Sequence, residues 1–179
     1  MKIALIGMPA IGKTSIGRKL ARHCDYPFID LDQRLTQDLG CSIPEYFERM
    51  GEAAFRDAEA RLLAQLAQQP GDCVLATGGG VVLRPENRAI LTAHYHVIYL
   101  TAKPEALLRR VRNDQTRPLL KVADPLAKLQ ELYAQRHPLY EATAHAQVAA
   151  DCVAMRSVLK TIETDLRTLG VELKDIDQA

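Results

Sequence analysis

The stretch KIALIGMPAIGKTSIGRKLARHC, residues 2–24, decides the fold. KIALIG is apolar on both faces, as a strand covered by helices on each side is. KTSIGRKLARHC places Ile16, Leu20 and Cys24 at i, i+4 and i+8, the stripe of an amphipathic helix. Between the two lies Gly7-x-x-x-x-Gly12-Lys13-Thr14, the complete phosphate-loop template. Glycine lets such a loop turn its backbone N–H groups inward around a phosphate. Lys13 reaches the β- and γ-oxygens, the Thr14 hydroxyl ligates Mg²⁺, and the helix that starts there adds its positive end. The stretch therefore predicts a nucleoside triphosphate bound with Mg²⁺.

The rest of the chain bounds what else the protein does. With 179 residues, one domain with a full core is expected. The formal charge is +1, from 23 basic and 22 acidic residues, so no cationic field favours nucleic acid or an anionic membrane. Cys24, Cys41, Cys73 and Cys152 form no Cys-x-x-Cys pair, which argues against zinc and for isolated small hydrophobes in a reducing compartment. No apolar run approaches a membrane span or a signal peptide, and a cytoplasmic location is expected. His94-x-His96 reads as structural on one strand face rather than as half a metal site.

Strands and helices alternate. PFIDLD, CVLAT, HYHVIYL and HAQVAA read as further strands. CSIPEYFERMG carries a capping box, Ser42 with Glu45, and Gly51 reads as its stop. EAAFRDAEARLLAQLAQQ aligns Phe55, Ala58, Leu62 and Leu66, KPEALLRRV opens another helix, and PLAKLQELYAQRHPLY reads as a helix broken near Pro138. RSVLKTIETDLRTLG is amphipathic through Val158, Ile162 and Leu166, and the last nine residues read as a tail. RNDQTRPLLKVADP has turn character and reads as a mobile loop. This alternation predicts a parallel three-layer α/β sheet.

Asp30 and Asp32 stand two apart in FIDLD, which as a strand end puts both on one face. One carboxylate could hold a metal-bound water and the other accept the proton of an attacking hydroxyl. The same Asp-x-Asp at Asp175 and Asp177 reads as solvated charge. Arg56, Arg117 and Arg136 offer planar forks for carboxylate or phosphate oxygens. TGGG, Thr77 to Gly80, brings backbone N–H groups close to a ligand but has no carboxylate, which moves the metal-water role onto Asp30.

Taken in order, GMPAIGKTSIGRKLA, FIDLD, GEAAFRDAE, VLATGGG, RPLL and RHPLY resemble the shikimate kinase family from residue 2 to about residue 165. The resemblance implies a P-loop kinase fold of the nucleoside monophosphate kinase type. That fold has a central five-stranded parallel sheet, a helical substrate-binding lobe near residues 31–62 and a mobile lid near 112–124 within one domain, 1–179. It implies transfer of the γ-phosphoryl of ATP to the 3-hydroxyl of shikimate by a cytoplasmic monomer, on the route to aromatic amino acids. Gly7, Ala10, Ile11, Gly12, Lys13, Thr14 and Ser15 would hold the nucleotide, with Arg110 on adenine and Arg117 at the γ-phosphate. Thr14 and Asp30 would serve Mg²⁺, and Asp32 would act as base and bind the acceptor hydroxyls. Arg56 and Arg136 would clamp the acceptor carboxylate, Gly78, Gly79 and Gly80 would give backbone contacts, and Phe47 and Phe55 would line the pocket. The loop departs from the family's usual pattern at Pro9, Ala10 and Ile11, and the departure bears on nucleotide affinity. A gluconate kinase-like enzyme is the nearest rival, against which TGGG and RPLL argue, and a non-catalytic nucleotide-binding module is the rival from another class.

Overall fold

The computed structural model describes residues 1–111, 122–151 and 154–174. Five strands, β1 (Lys2–Gly7), β2 (Phe28–Asp30), β3 (Cys73–Ala76), β4 (His96–Thr101) and β5 (Ala146–Ala149), form one sheet in the order β2-β3-β1-β4-β5. Every pairing is parallel, with Leu5 opposite Ala76, Asp30 opposite Ala76, Gly7 opposite Leu100 and Thr101 opposite Ala149. The chain leaves β1 for the edge at β2, returns through β3, and then crosses to β4. β1 is thus the strand at which the winding reverses, where α/β sheets open a crevice beyond their carboxyl ends.

Helices α1 (Lys13–Cys24), α2 (Leu31–Leu39), α3 (Ile43–Gln68), α4 (Pro85–His94), α5 (Pro104–Val111), α6 (Pro125–Thr143) and α7 (Met155–Thr168) surround the sheet. The predicted stripes are the buried ones: Ile16, Leu20 and Cys24 on α1, Phe55, Ala58, Leu62 and Leu66 on α3, and Val158, Ile162 and Leu166 on α7. In β1, Ile3 to Ile6 are wholly buried, as a strand covered on both faces requires. The Ser42–Glu45 capping box forms, each side chain meeting the other residue's backbone N–H.

Several expectations change. The β2 strand stops at Asp30, whose side chain accepts from Gln33 N at 3.1 Å and caps α2, so Asp32 lies in the first turn of a helix rather than on a strand face. As expected, Gly51 (φ 84°, ψ 168°) stops the helix opened by the capping box, and the longer helical stretch of α3 follows it directly across a kink. α6 runs through Pro138 without ending, because Leu129, Tyr140 and Thr143 are buried on either side of it. His94 ends α4 while His96 opens β4, so they share no strand face; His96 Nε2 pairs instead with Asp165 at 2.7 Å. The first residues of the expected tail pack back: Val171 is buried and Lys174 N donates to His23 O at 2.8 Å. Cys24, Cys41 and Cys73 are free thiols. Asp175, Asp177 and Cys152 lie outside the described residues.

Candidate active site

The phosphate loop leaves the carboxyl end of β1. Gly7 (φ 146°) passes so close to β4 that a Cβ there would sit 2.6 Å from Leu100 O, which excludes any side chain. Ala10 occupies the left-handed region (φ 68°), a conformation that favours glycine, while Ile11 is wholly buried and anchors the loop to the core. Lys13, 8% exposed, folds across the loop and donates from Nζ to Gly7 O at 2.8 Å and Met8 O at 2.9 Å. No side chain caps α1 at Gly12, and the first turn of the helix carries no acidic residue. The N-terminal N–H groups of Lys13, Thr14 and the exposed Ser15 therefore point at the mouth of the loop, as anion binding requires. Arg110 braces the loop from α5, donating to Ile11 O at 2.7 Å and to Ala150 O at 2.5 Å.

Beside the loop, the Thr14 hydroxyl donates to Asp30 Oδ2 at 2.7 Å. A hydroxyl and a carboxylate in contact form an oxygen-only donor set, which suits a hard cation such as Mg²⁺. Burial pushes the Asp32 carboxyl above the usual range, and the neighbouring Asp30 charge pushes it further, against the pull of Lys13 and Arg56.

A cavity of about 600 Å³ opens next to this, lined by Pro9, Asp32, Phe47, Phe55, Arg56, Glu59, the three glycines and Arg136, among others. TGGG organises it. None of Gly78, Gly79 and Gly80 has a left-handed φ, so proximity and not torsion demands glycine. A Cβ on Gly78 would stand 2.8 Å from Asp32 Oδ1, one on Gly79 would stand 2.9 Å from Pro9 Cδ and 3.2 Å from Arg136 Nη1, and one on Gly80 would collide with the Arg56 guanidinium. One stretch of bare backbone thus gathers the aspartate, both arginines and the phosphate loop's own proline. Among the described residues no group accepts from the N–H of these glycines. Phe47 and Phe55 pack with ring centroids 4.7 Å apart and form the apolar wall.

Glu59 has no role in the reading of the sequence, yet it is wholly buried in this wall. Its Oε2 accepts from Arg56 Nη1 at 2.8 Å, whereas Oε1 has no partner. Burial raises its carboxyl and Arg56 opposes the rise. The spacing was a usable signal, since Arg56 and Glu59 at i, i+3 share a helix face. Arg56 Nε and Arg136 Nε are likewise buried without partners. Three such atoms, Glu59 Oε1, Arg56 Nε and Arg136 Nε, belong to residues that line this one cavity. Tyr140, the last residue of RHPLY, and Leu132 of α6 also border the region, neither with a role assigned from the sequence. Arg117 lies outside the described residues.

The site thus combines an anion-binding loop, an oxygen-lined cation position and a pocket with two guanidiniums and a raised carboxyl. It is arranged to bring a phosphate donor to a hydroxylated acid. The shikimate kinase family profile matches residues 9–167. The chain belongs to the shikimate kinase family. It is 49% identical over 153 residues to a shikimate kinase of Paracidovorax citrulli, covering 84% of this chain and 83% of that protein. To a shikimate kinase of Neisseria meningitidis it is 47% identical over 170 residues, 94% of this chain and 96% of the other. Shikimate kinase from Acinetobacter baumannii, solved in complex with shikimate, superposes with a TM-score of 0.87 at 36% identity, over 94% of this chain and 93% of that one. The five-stranded parallel P-loop kinase architecture is therefore the family's own, and the chain is an ATP-dependent kinase of this family. Among the described residues no helix is long and apolar enough to cross a membrane.

Proposed function

We propose that this kinase transfers the γ-phosphoryl group of ATP to the 3-hydroxyl of shikimate, releasing ADP and shikimate 3-phosphate. The observation that carries the reading is the convergence of Asp32, Arg56 and Arg136 on the bare backbone of Gly78–Gly80, beside the phosphate loop. Arg56 and Arg136, both lining the cavity, clamp the acceptor carboxylate with their planar forks. The glycine N–H groups and Asp32 hold its hydroxyls, and Phe47 and Phe55 lie against the ring. Asp32 accepts the hydroxyl proton as the oxygen attacks the γ-phosphorus and the bond to the β-phosphate oxygen breaks. A raised carboxyl pKa makes Asp32 a better proton acceptor at that moment.

On the donor side, the loop residues Gly7 to Ser15 cradle the phosphates and Lys13 exchanges its loop carbonyls for phosphate oxygens. Thr14 and Asp30, in contact through the hydroxyl, would hold Mg²⁺, which would supply charge neutralisation at the phosphates. Arg110, which donates to Ile11 O, would serve adenine, and Arg117, which lies outside the described residues, would serve the γ-phosphate. Arg117→Ala is expected to lower kcat by about 10³-fold, as loss of a phosphoryl clamp does. A steady-state change below tenfold would remove Arg117 from that role. The substrate lobe comprises residues 31–62, and the enzyme works in the cytoplasm as a monomer in aromatic amino acid synthesis.

Coupled ADP release with shikimate and gluconate in parallel tests the reading. Turnover is expected with shikimate alone. Preference for gluconate, or no turnover with either, would replace it with one of the two rivals.

A further inference from the structure

Tyr140 is wholly buried, and its hydroxyl donates to the Gly79 carbonyl oxygen at 2.5 Å. It stands one helical turn beyond Arg136 on α6, so the two share a face. Its ring packs on Tyr99 of β4 with centroids 4.9 Å apart. Tyr99, also wholly buried, is held in turn by its hydroxyl, 2.9 Å from His137 Nδ1. The phenol oxygen is therefore fixed by two packed rings. Burial pushes the Tyr140 phenol up to about 12, against the pull of Arg136 and Arg56 beside it, so it keeps its proton, and thus its donor to Gly79 O, across the neutral range.

The peptide joining Gly79 to Gly80 is the least restrained kind, flanked by two residues without side chains. A trans peptide is planar, and its C=O and N–H point in opposite directions. Holding the Gly79 oxygen on α6 therefore turns the Gly80 N–H away from Tyr140, and Gly80 lines the cavity. No described residue accepts from that N–H. We propose that Tyr140 is a positioning residue, whose hydroxyl locks the Gly79–Gly80 peptide so that the Gly80 amide is presented to the acceptor. The inference rests on the acceptor pocket proposed above.

Tyr140→Phe removes the hydroxyl and keeps the ring. The expected result is a shikimate KM raised about fivefold to tenfold, the effect of one hydrogen bond. The ATP KM should be unchanged, and kcat should stay within about twofold. In ¹⁵N spectra of the ligand-free protein, the Gly79 and Gly80 amides should shift and broaden while the amides of Lys13 and Thr14 stay in place. Tyr99→Phe, which cuts the tie to His137, should move the same readouts in the same direction by less, and it serves if Tyr140→Phe does not fold. A shikimate KM within twofold of the parent, both KM values rising together, or unmoved Gly79 and Gly80 amides would each overturn the inference. If the parent protein does not turn over shikimate, the functional reading fails separately, and the amide spectra still decide whether Tyr140 holds the peptide.

Discussion

Asp32→Asn is expected to reduce kcat by about 10³-fold or more while ATP still binds, because general-base removal carries an effect of that size. The carboxyl is flanked by Lys13 and Arg56 and sits against Gly78, where it meets the acceptor side of the site. Asparagine keeps the shape and loses the proton acceptor. In the parent enzyme the acid limb of kcat/KM should fall above the ordinary aspartate value, since burial and Asp30 raise this group. The same shift predicts a stability effect of definite sign. A carboxyl whose pKa is higher in the folded state than in the unfolded chain contributes stability below the unfolded pKa, and that contribution is lost as pH rises through the folded pKa. As pH rises through the folded-state value, the parent comes to carry a partly buried charge on Asp32 that the asparagine variant never carries. Asp32→Asn should melt at a higher temperature than the parent at pH 7, with the gap closing towards pH 4. Retained turnover above a tenth of the parent would contradict the base assignment, and loss of ATP binding would move Asp32 to the nucleotide.

Gly80→Ala should be nearly as damaging to acceptor binding, with about a 10²-fold rise in shikimate KM, the size expected when a charged hydrogen-bonding clamp is displaced. The added methyl would occupy the place of the Arg56 guanidinium. Gly80 has φ −95° and ψ 2°, which alanine adopts readily, so the backbone is not the obstacle. Arg56 is the part that gives, because the end of a long side chain moves more easily than a loop held by Val81 N to Gly78 O and Leu83 N to Gly80 O. Once displaced, Arg56 also leaves Glu59, a wholly buried carboxylate, without its ion pair. The ATP KM should be unaltered. Equal losses of ATP and shikimate affinity would show a general disturbance of the loop.

Much of this architecture is legible in the order of the residues. Ile16, Leu20 and Cys24 predict the buried face of α1 because helical period is a local property. Ser42 and Glu45 predict their own capping box for the same reason. Asp30 and Asp32 are harder, since a carboxylate after an apolar pair reads equally as a strand end or as the cap of a helix. The cap prevails because the Asp30 side chain satisfies Gln33 N, and Leu31 and Leu35 are then both buried on α2. Pro138 misleads in the opposite direction: the cost of one missing hydrogen bond is outweighed where Leu129 and Tyr140 are buried on the same helix. Glu59 is within reach through its spacing from Arg56, but its unpartnered oxygen becomes visible only when its burial is known.

The amino-acid order by itself determined the strand, glycine loop and helix of the phosphate-loop motif, because backbone freedom at Gly7 and Gly12 and the helical stripe after them are set by neighbours a few residues away. It also determined which side chains were available for the acceptor. Only the tertiary structure decided that Asp32, Arg56 and Arg136 meet at three glycines, that Pro9 touches Gly79, and that Tyr140 reaches the Gly79 carbonyl. Those contacts join elements far apart along the chain, and they exist because the parallel sheet packs α3 and α6 around the end of β3, at distances where a single methyl group has no room.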